Sequence, residues 1–300
     1  MVALPRKKIL VLGSNGLLGA EVIRHFSKGA YDVKGASHSE LDITKGQEVA
    51  IWIERLHPDF VINCAALSNV DYCEEHPEEA YRVNAEGVKN ICVILEETGG
   101  KLVHISTDYV FDGEKETPYE ETDPVNPRSV YAESKLKGEE VVKRFLPESL
   151  IVRVQWLYGK DGKNFSSRVI REIAESSYTS PYLLIEDRVG SPTEVSQVAK
   201  GLEALIQNNC SGLFHFSSSG HCSWLEFGYA IFDICNDLNA PKMIQAVREK
   251  DIQRPARRPR FSAFSCHKLK KESGYLPSHW KEMLRVMIKA KSPVRDQSVQ

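Results

Sequence analysis

No apolar run in this 300-residue chain approaches the ~18–20 residues of a membrane span. The opening stretch, MVALPRKKILVLGSNG, lacks the order of charge, long apolar core and small-residue cleavage site that marks a signal peptide, so a cytoplasmic protein with no membrane partner is expected. No CxxC occurs. The seven cysteines (Cys64, Cys73, Cys92, Cys210, Cys222, Cys235 and Cys266) are odd in number and scattered, which favours free thiols over a disulfide framework. Cys73-x-x-His76 is the nearest thing to a metal pair, but no second pair has matching spacing, and no metal is expected. Charge of one sign is missing too. Lys plus Arg is 39 against 41 for Asp plus Glu, a net −2 that argues against a dedicated nucleic-acid surface while leaving room for a local basic patch. Repeats and low-complexity linkers are absent.

What is present is an ordinary globular composition, 42% hydrophobic, long enough for one large domain or two unequal ones. The first half alternates strand and helix patterns. Lys8–Leu12, Tyr31–Ala36, Phe60–Asn63, Leu102–Ile105 and Leu150–Val154 read as strands, and Leu17–Phe26, Val49–Leu56, Pro77–Glu97 and Tyr131–Phe145 as helices. That order predicts an α/β fold, a Rossmann-like doubly wound parallel sheet with right-handed crossovers. After about residue 160 the rhythm weakens. Helices are expected at Phe165–Glu175, Thr193–Gln207, Trp224–Asn236 and His279–Ala290, with short strands at Tyr182–Ile185 and Gly212–Phe216. The expected division is a dinucleotide-binding unit over residues 1–160 to which later segments return, a smaller α/β substrate-binding region over 161–290, and a frayed tail over 291–300.

The turn after the first strand is Gly13-Ser14-Asn15-Gly16-Leu17-Leu18-Gly19. Glycines there permit the backbone angles of a tight turn and close approach of a pyrophosphate, and the following helix offers free N–H groups to the anion. Gly13, Asn15, Gly16, Leu17, Leu18 and Gly19 are therefore candidate cofactor residues; the plainer reading is a tight turn and nothing more. The GxxGxxG spacing resembles the short-chain dehydrogenase superfamily. That resemblance implies that Leu41-Asp42-Ile43 faces the adenine and that Ala65, Ala66 and Leu67 border the cofactor. No acid occurs in Lys34-Gly35-Ala36-Ser37-His38, where an NAD site usually has one for the ribose diol. Ser37 and His38 suit a 2′-phosphate, so NADPH is favoured over NADH; if both are merely solvated, either cofactor binds.

Tyr131 and Lys135 stand four residues apart on one helix face. A tyrosine hydroxyl ionises near pH 10, and an ammonium beside it is expected to lower that value. Upstream, Thr107 follows a strand, at the edge where a parallel sheet places its ligands. Thr107, Tyr131 and Lys135 match the Ser/Thr–Tyr–Lys triad of short-chain dehydrogenases in order and spacing. The triad would give a proton to a carbonyl oxygen as hydride reaches its carbon, with Lys135 also holding a cofactor ribose.

Further strings narrow the resemblance: Ser106-Thr-Asp-Tyr-Val-Phe-Asp-Gly113, Tyr119-x-Glu-x-x-Asp123, Pro124-x-Asn-Pro127, Tyr131-x-x-Ser-Lys-Leu-x-Gly-Glu139, Trp156-Leu-Tyr-Gly159, Asn164-Phe165, Asp187-x-x-Gly-Ser-Pro-Thr193 and Arg257-Arg-Pro259. Together, over residues 9 to 265, they resemble the dTDP-4-dehydrorhamnose reductase family. The resemblance implies NADPH-dependent reduction of the C4 ketone of dTDP-4-dehydro-β-L-rhamnose, with Tyr131 as proton donor, Thr107 and Asp108 beside the sugar, Trp156 and Asn164 touching substrate, and Arg258 near the sugar diphosphate. Guanidinium groups bind diphosphates in bidentate fashion, which suits the run Arg254, Arg257, Arg258 and Arg260. Plainer readings stay open: a solvated basic loop, a packed Trp156, a helix-capping Asn164. Some family members bridge a homodimer through Mg²⁺ held by glutamates. Glu21 matches one of them, but Ser196 stands where another is expected and the last helix lacks its acid, so a homodimer is compatible and a metal bridge is not expected. Arg188 replaces a frequent glutamine. Other functions compatible with these motifs are a non-catalytic regulatory subunit of methionine adenosyltransferase and a reductase or epimerase of another nucleotide sugar.

Overall fold

The computed structural model describes residues 6–161 and 164–291; the expected tail beyond 291 lies outside them. Four βα units and a fifth strand come first: β1 (Lys7–Leu12), α1 (Leu17–Phe26), β2 (Tyr31–Ala36), α2 (Gly46–Leu56), β3 (Phe60–Asn63), α3 (Val70–Glu75), α4 (Pro77–Tyr81), α5 (Gly87–Thr98), β4 (Lys101–Thr107), α6 (Val130–Phe145) and β5 (Leu150–Val154). There follow β6 (Leu157–Tyr158), α7 (Phe165–Glu175), β7 (Tyr182–Ile185), β8 (Val189–Gly190), β9 (Thr193–Glu194), α8 (Val195–Gln207), β10 (Gly212–Phe216), β11 (Cys222–Ser223), α9 (Trp224–Ile234), α10 (Ala240–Met243), β12 (Ile244–Val247), α11 (His267–Ser273) and α12 (Trp280–Lys291).

Six strands form one parallel sheet in the order β10-β5-β4-β3-β1-β2. The inner strands β1, β3, β4 and β5 are rich in Val, Ile and Leu because both faces are covered, whereas the edge strand β2 is half exposed. On one face, Ile9, Val11, Ile62 and Val152 pack with Val22 and Phe26 of α1 and with Val198, Leu202 and Leu205 of α8. On the other, Leu10, Leu12 and Val61 pack with Ile53, Ile91, Leu95 and Val142 from α2, α5 and α6. The order reverses between β1 and β3. Register places Leu12 opposite Asn63 and Thr107 opposite Val154, so the first glycine turn and the Thr107 turn leave the same carboxyl edge of the sheet.

A second core is built from later segments: Tyr158, Val169, Tyr182, Leu184, Phe227, Ile231, Trp280 and Leu284. Its small sheets pair β7 with β12 and β8 with β11. Segments after residue 160 divide between the two cores, since α8 and β10 complete the first.

The single helix expected over 77–97 is interrupted by a π-helical turn at Arg82–Glu86. Tertiary contacts account for it. Asn84 is fully buried, accepts a bond from the Leu67 amide (2.9 Å), and donates to Leu67 O (3.0 Å) and Ser134 Oγ (3.0 Å). The extra residue in the turn swings this amide inward, as π-bulges do at functional sites. The helix expected from Thr193 begins at Val195, because the Glu194 carboxylate caps it by accepting the Ser196 amide (2.9 Å). No helix among the described residues is long and apolar enough to cross a membrane. All seven cysteines are free.

Candidate active site

Gly13 has φ +72°, and a Cβ there would lie 2.8 Å from the Ala65 amide nitrogen. A Cβ on Gly19 would lie 2.2 Å from Gly13 O. The turn is thus folded so tightly on itself and on the end of β3 that only glycine fits. No side chain caps the N-terminus of α1, whose amides begin at exposed Gly16. An uncapped helix start behind a glycine cradle at the strand-order reversal fits a dinucleotide pyrophosphate. Asn15 is exposed and Leu17 half-buried, while the Leu18 side chain sits in the sheet core, which leaves only its backbone facing the turn.

At the end of β2 the structure adds a group that the sequence reading missed. Glu40, three residues past Ser37, folds back. Its carboxylate accepts both the Ser37 amide (2.8 Å) and the Ser37 hydroxyl (2.7 Å). The bonds from Ser37 hold its pKa below the usual glutamate value. An acid therefore does stand there, beside exposed His38. Asp42 is occupied locally. It accepts the Thr44 amide and hydroxyl, and these bonds with His38 and Lys45 lower its pKa against the opposing effect of burial. Ile43 is buried, and Ala65, Ala66 and Leu67 line the turn after β3 as expected from sequence order.

Tyr131 and Lys135 lie on α6, whose N-terminus is capped by the Ser129 side chain accepting the Ala132 amide. Lys135 is buried, and its ammonium donates to Ile105 O at 2.7 Å. Burial lowers its pKa to about 8; Glu139, one helical turn on, and Cys64 resist that drop. The Tyr131 phenol is raised, chiefly by burial, with the Thr107 hydroxyl working in the opposite direction. The Lys135 ammonium donates to a strand carbonyl, and desolvation outweighs the lowering expected from its charge. The phenol therefore stays protonated, which is the state a proton donor needs.

Thr107 ends β4, and its hydroxyl donates to Asp108 Oδ1 at 3.2 Å. Asp108 is buried with Oδ2 unpartnered. Burial pushes its carboxyl up to about 7 despite Thr107 and Arg188 nearby. The Tyr109 ring stands edge-on to Tyr131, centroids 5.8 Å apart.

Beneath this cluster lies a buried network that sequence order alone did not assign. Glu139 accepts Ser106 Oγ (2.6 Å), Arg153 Nε (2.8 Å) and Arg153 Nη2 (2.7 Å). Ser106, Glu139 and Arg153 are all buried, and the network joins β4, α6 and β5 directly behind Thr107 and Lys135. The signal was present in the Lys135–Glu139 spacing, but its partner lies on another strand.

The remaining candidates fall elsewhere. Trp156 has φ +43° and stacks on Trp224 at 4.6 Å, with Gly190 against its indole. Asn164 spends its side chain on backbone and helix cap: Oδ1 accepts the Ser167 amide (3.0 Å) and Nδ2 donates to Gly159 O (3.2 Å). This amide therefore caps the start of α7. Arg258 is likewise committed, in a bidentate pair with Asp71 (3.1 and 2.7 Å), which fastens the Arg254–Arg260 loop to α3. Glu21 pairs with Arg24, and the Glu194 carboxylate is raised by burial, with Glu21 adding to the effect. Cys73 is buried and His76 stacks on Tyr72; among the described residues no group of three or more His, Cys, Asp or Glu could hold a metal ion.

Comparison with known proteins agrees with the geometry. A family model described as the RmlD substrate binding domain matches residues 7–292. The chain is similar to the spore coat polysaccharide biosynthesis protein SpsK of Bacillus subtilis, 34% identical over 96% of this chain and 99% of that one. It is also similar to a dTDP-4-dehydrorhamnose reductase of Aggregatibacter actinomycetemcomitans, 32% identical over 93% and 97%. Among solved structures, the dTDP-4-dehydrorhamnose reductase of Bacillus anthracis in complex with NADP superposes with a TM-score of 0.89 at 33% identity, covering 95% of this chain and 100% of that one. With a Rossmann sheet, a glycine cradle and a Thr–Tyr–Lys cluster at one sheet edge, and a family match across nearly its whole length, the chain belongs to the RmlD family of dTDP-4-dehydrorhamnose reductases.

Proposed function

We propose that this chain reduces the C4 ketone of dTDP-4-dehydro-β-L-rhamnose to dTDP-β-L-rhamnose with NADPH, a step of nucleotide-sugar biosynthesis in the cytoplasm. The single observation that carries the reading is the half-buried Tyr131, its phenol pKa raised, beside Thr107 and Lys135 at the carboxyl edge of the sheet, next to the glycine cradle. NADPH, when bound, supplies the hydride. The glycine turn and the α1 amides would hold its pyrophosphate, with Ser37 and Glu40 at the adenosine ribose. Thr107 and Tyr131 would hydrogen-bond the ketone oxygen. As the C4=O carbon accepts hydride, the oxygen takes the phenolic proton of Tyr131, giving the C4 alcohol. Lys135 then stabilises the phenolate until solvent reprotonates it. The second core would hold the sugar nucleotide.

Incubating the purified chain with NADPH and the keto sugar tests this reading. One reduced cofactor is consumed per sugar, and the product is dTDP-β-L-rhamnose by NMR. Sugar interconversion without net cofactor oxidation would point to an epimerase and overturn it.

A further inference from the structure

Asn63 and His104 stand opposite each other on β3 and β4, on the sheet face that carries Val61 and Leu102 and packs against α6. Both are wholly enclosed. Their register places them directly behind three functional stretches. Leu12, opposite Asn63 on β1, leads into the Gly13 cradle. Asn63 leads into the Ala65–Leu67 turn. His104 leads into Ile105, whose carbonyl accepts the Lys135 ammonium at 2.7 Å.

The bonds within this pair fix its chemistry. Asn63 Oδ1 accepts the Ala65 amide at 3.0 Å. That donor decides which way the carboxamide points, so Nδ2 faces His104 Nδ1, 3.3 Å away. An amide nitrogen can only donate, and Nδ1 must therefore accept. Only a neutral imidazole protonated on Nε2 can do so. Burial and the nearby Lys135 ammonium hold His104 well below the ordinary histidine pKa, which keeps the ring neutral.

The far end of the turn is tied in the same way. Asn84 accepts the Leu67 amide and donates to Leu67 O and to Ser134 Oγ, and Ser134 immediately precedes Lys135. Two buried asparagines thus hold the two ends of the turn. One is braced by the neighbour of Lys135, the other by the neighbour of the carbonyl that Lys135 binds. The turn in its own right abuts the cradle, since a Cβ on Gly13 would lie 2.8 Å from the Ala65 amide nitrogen. Cradle, turn and lysine belong to one hydrogen-bonded frame.

We propose that His104 is a positioning residue for the cofactor: its Nδ1 locks the Asn63 carboxamide, which holds the Ala65–Leu67 turn against the glycine cradle and sets both relative to Lys135. The proposal rests on the functional reading above. A leucine at 104 would leave Asn63 Nδ2 a buried donor with no acceptor, and the carboxamide would turn away from Ala65 to find one.

The test uses the full chain, with NADPH titrated by fluorescence and keto-sugar reduction followed at steady state. His104→Leu should weaken NADPH binding and raise its KM by roughly tenfold, the worth of one buried hydrogen bond and the donor it strands. Its kcat should stay within about threefold of wild type, because the bond from Lys135 goes to the Ile105 backbone and survives. His104→Gln, whose Oε1 can accept from Asn63, should return NADPH affinity to within about threefold of wild type. Asn63→Leu should be at least as weak as His104→Leu, and the double variant no weaker than Asn63→Leu alone, because both break one chain. In wild type, imidazole nitrogen NMR shifts, assigned by their loss in His104→Gln, should show Nδ1 unprotonated with and without NADPH. A His104 protonated on Nδ1 overturns the proposal even if His104→Leu does not fold. So does a folded His104→Leu protein with wild-type NADPH affinity, or a Gln variant as weak as the Leu variant, either of which makes His104 a packing residue. A wild type that binds no NADPH overturns the cofactor reading itself, and the positioning role with it.

Discussion

Glu139→Gln should cost more stability than any exposed substitution and should also move the pH profile. In the native protein the Glu139 carboxylate takes three short bonds, from Ser106 and twice from Arg153, with no solvent access. The amide keeps the shape but not the charge. Arg153 is then a buried cation at 1% exposure, flanked by the Phe111 ring at 5.1 Å and by His215, which burial holds neutral, its pKa near 3. Breaking one side of a buried pair costs about 3–5 kcal/mol. For a chain of this size, at about 2 °C per kcal/mol, the melting temperature should fall roughly 6–10 °C. The same carboxylate resists the drop in the Lys135 pKa. Lys135 is charged below about 8 and neutral above it. Removing Glu139 favours the neutral form, so the alkaline limb of kcat/KM should shift to lower pH. Scanning calorimetry reads the first effect and steady-state rates across pH the second. Glu139→Leu with Arg153→Met should recover much of the stability, because the buried guanidinium leaves together with its partner. A fall of less than about 2 °C together with an unmoved alkaline limb would refute the reasoning.

Three further outcomes follow from the geometry. Tyr131→Phe should lower kcat by about 10²–10⁴-fold with NADPH affinity retained, read by single-turnover oxidation of bound NADPH; near-normal turnover would remove Tyr131 from the proton path. Glu40→Gln should raise the NADPH-to-NADH ratio of kcat/KM several-fold, because a carboxylate at Ser37 favours a ribose diol and repels a 2′-phosphate; an unchanged ratio would show that Glu40 does not reach the ribose. Gly190→Ala would set a Cβ 2.5 Å from Trp156. It should cost about 1–3 kcal/mol in urea unfolding and shift tryptophan emission as the Trp156–Trp224 stack opens.

Local pattern was enough wherever chemistry and chain order coincide. Gly13 to Gly19 join a buried strand to an amphipathic helix, and Tyr131 with Lys135 needs only helical spacing. The parallel sheet follows from strand–helix alternation. What pattern could not show were partners distant in the chain. Arg258 carries the residue type for a diphosphate, and its pairing with Asp71, 187 residues away, is visible only in the fold. Asn164 reads equally as ligand or cap until the start of α7 is seen. The π-turn at Arg82–Glu86 arises from Asn84 reaching Leu67 and Ser134, a tertiary pull that no helical periodicity records. Glu40 was overlooked because the acid returns to Ser37 through a turn instead of ending the strand. Lys135 was expected to acidify Tyr131 from proximity alone, whereas burial governs both groups.

The place of β10 bears on how the chain acquires its shape during synthesis. This strand pairs with β5 at the edge of the main sheet, and its Phe214 and Phe216 are wholly enclosed. Nearly sixty residues separate the two strands, among them β6 through α8. A ribosome that has released β5 therefore leaves its outer edge bare until Phe216 emerges. At ~5–20 residues per second that is a window of several seconds, in which an open parallel edge invites mispairing. The late-arriving Gly212–Phe216 segment thus acts as a closing stitch, and a chain cut near residue 160 should be a client for chaperones and not a freestanding cofactor-binding unit.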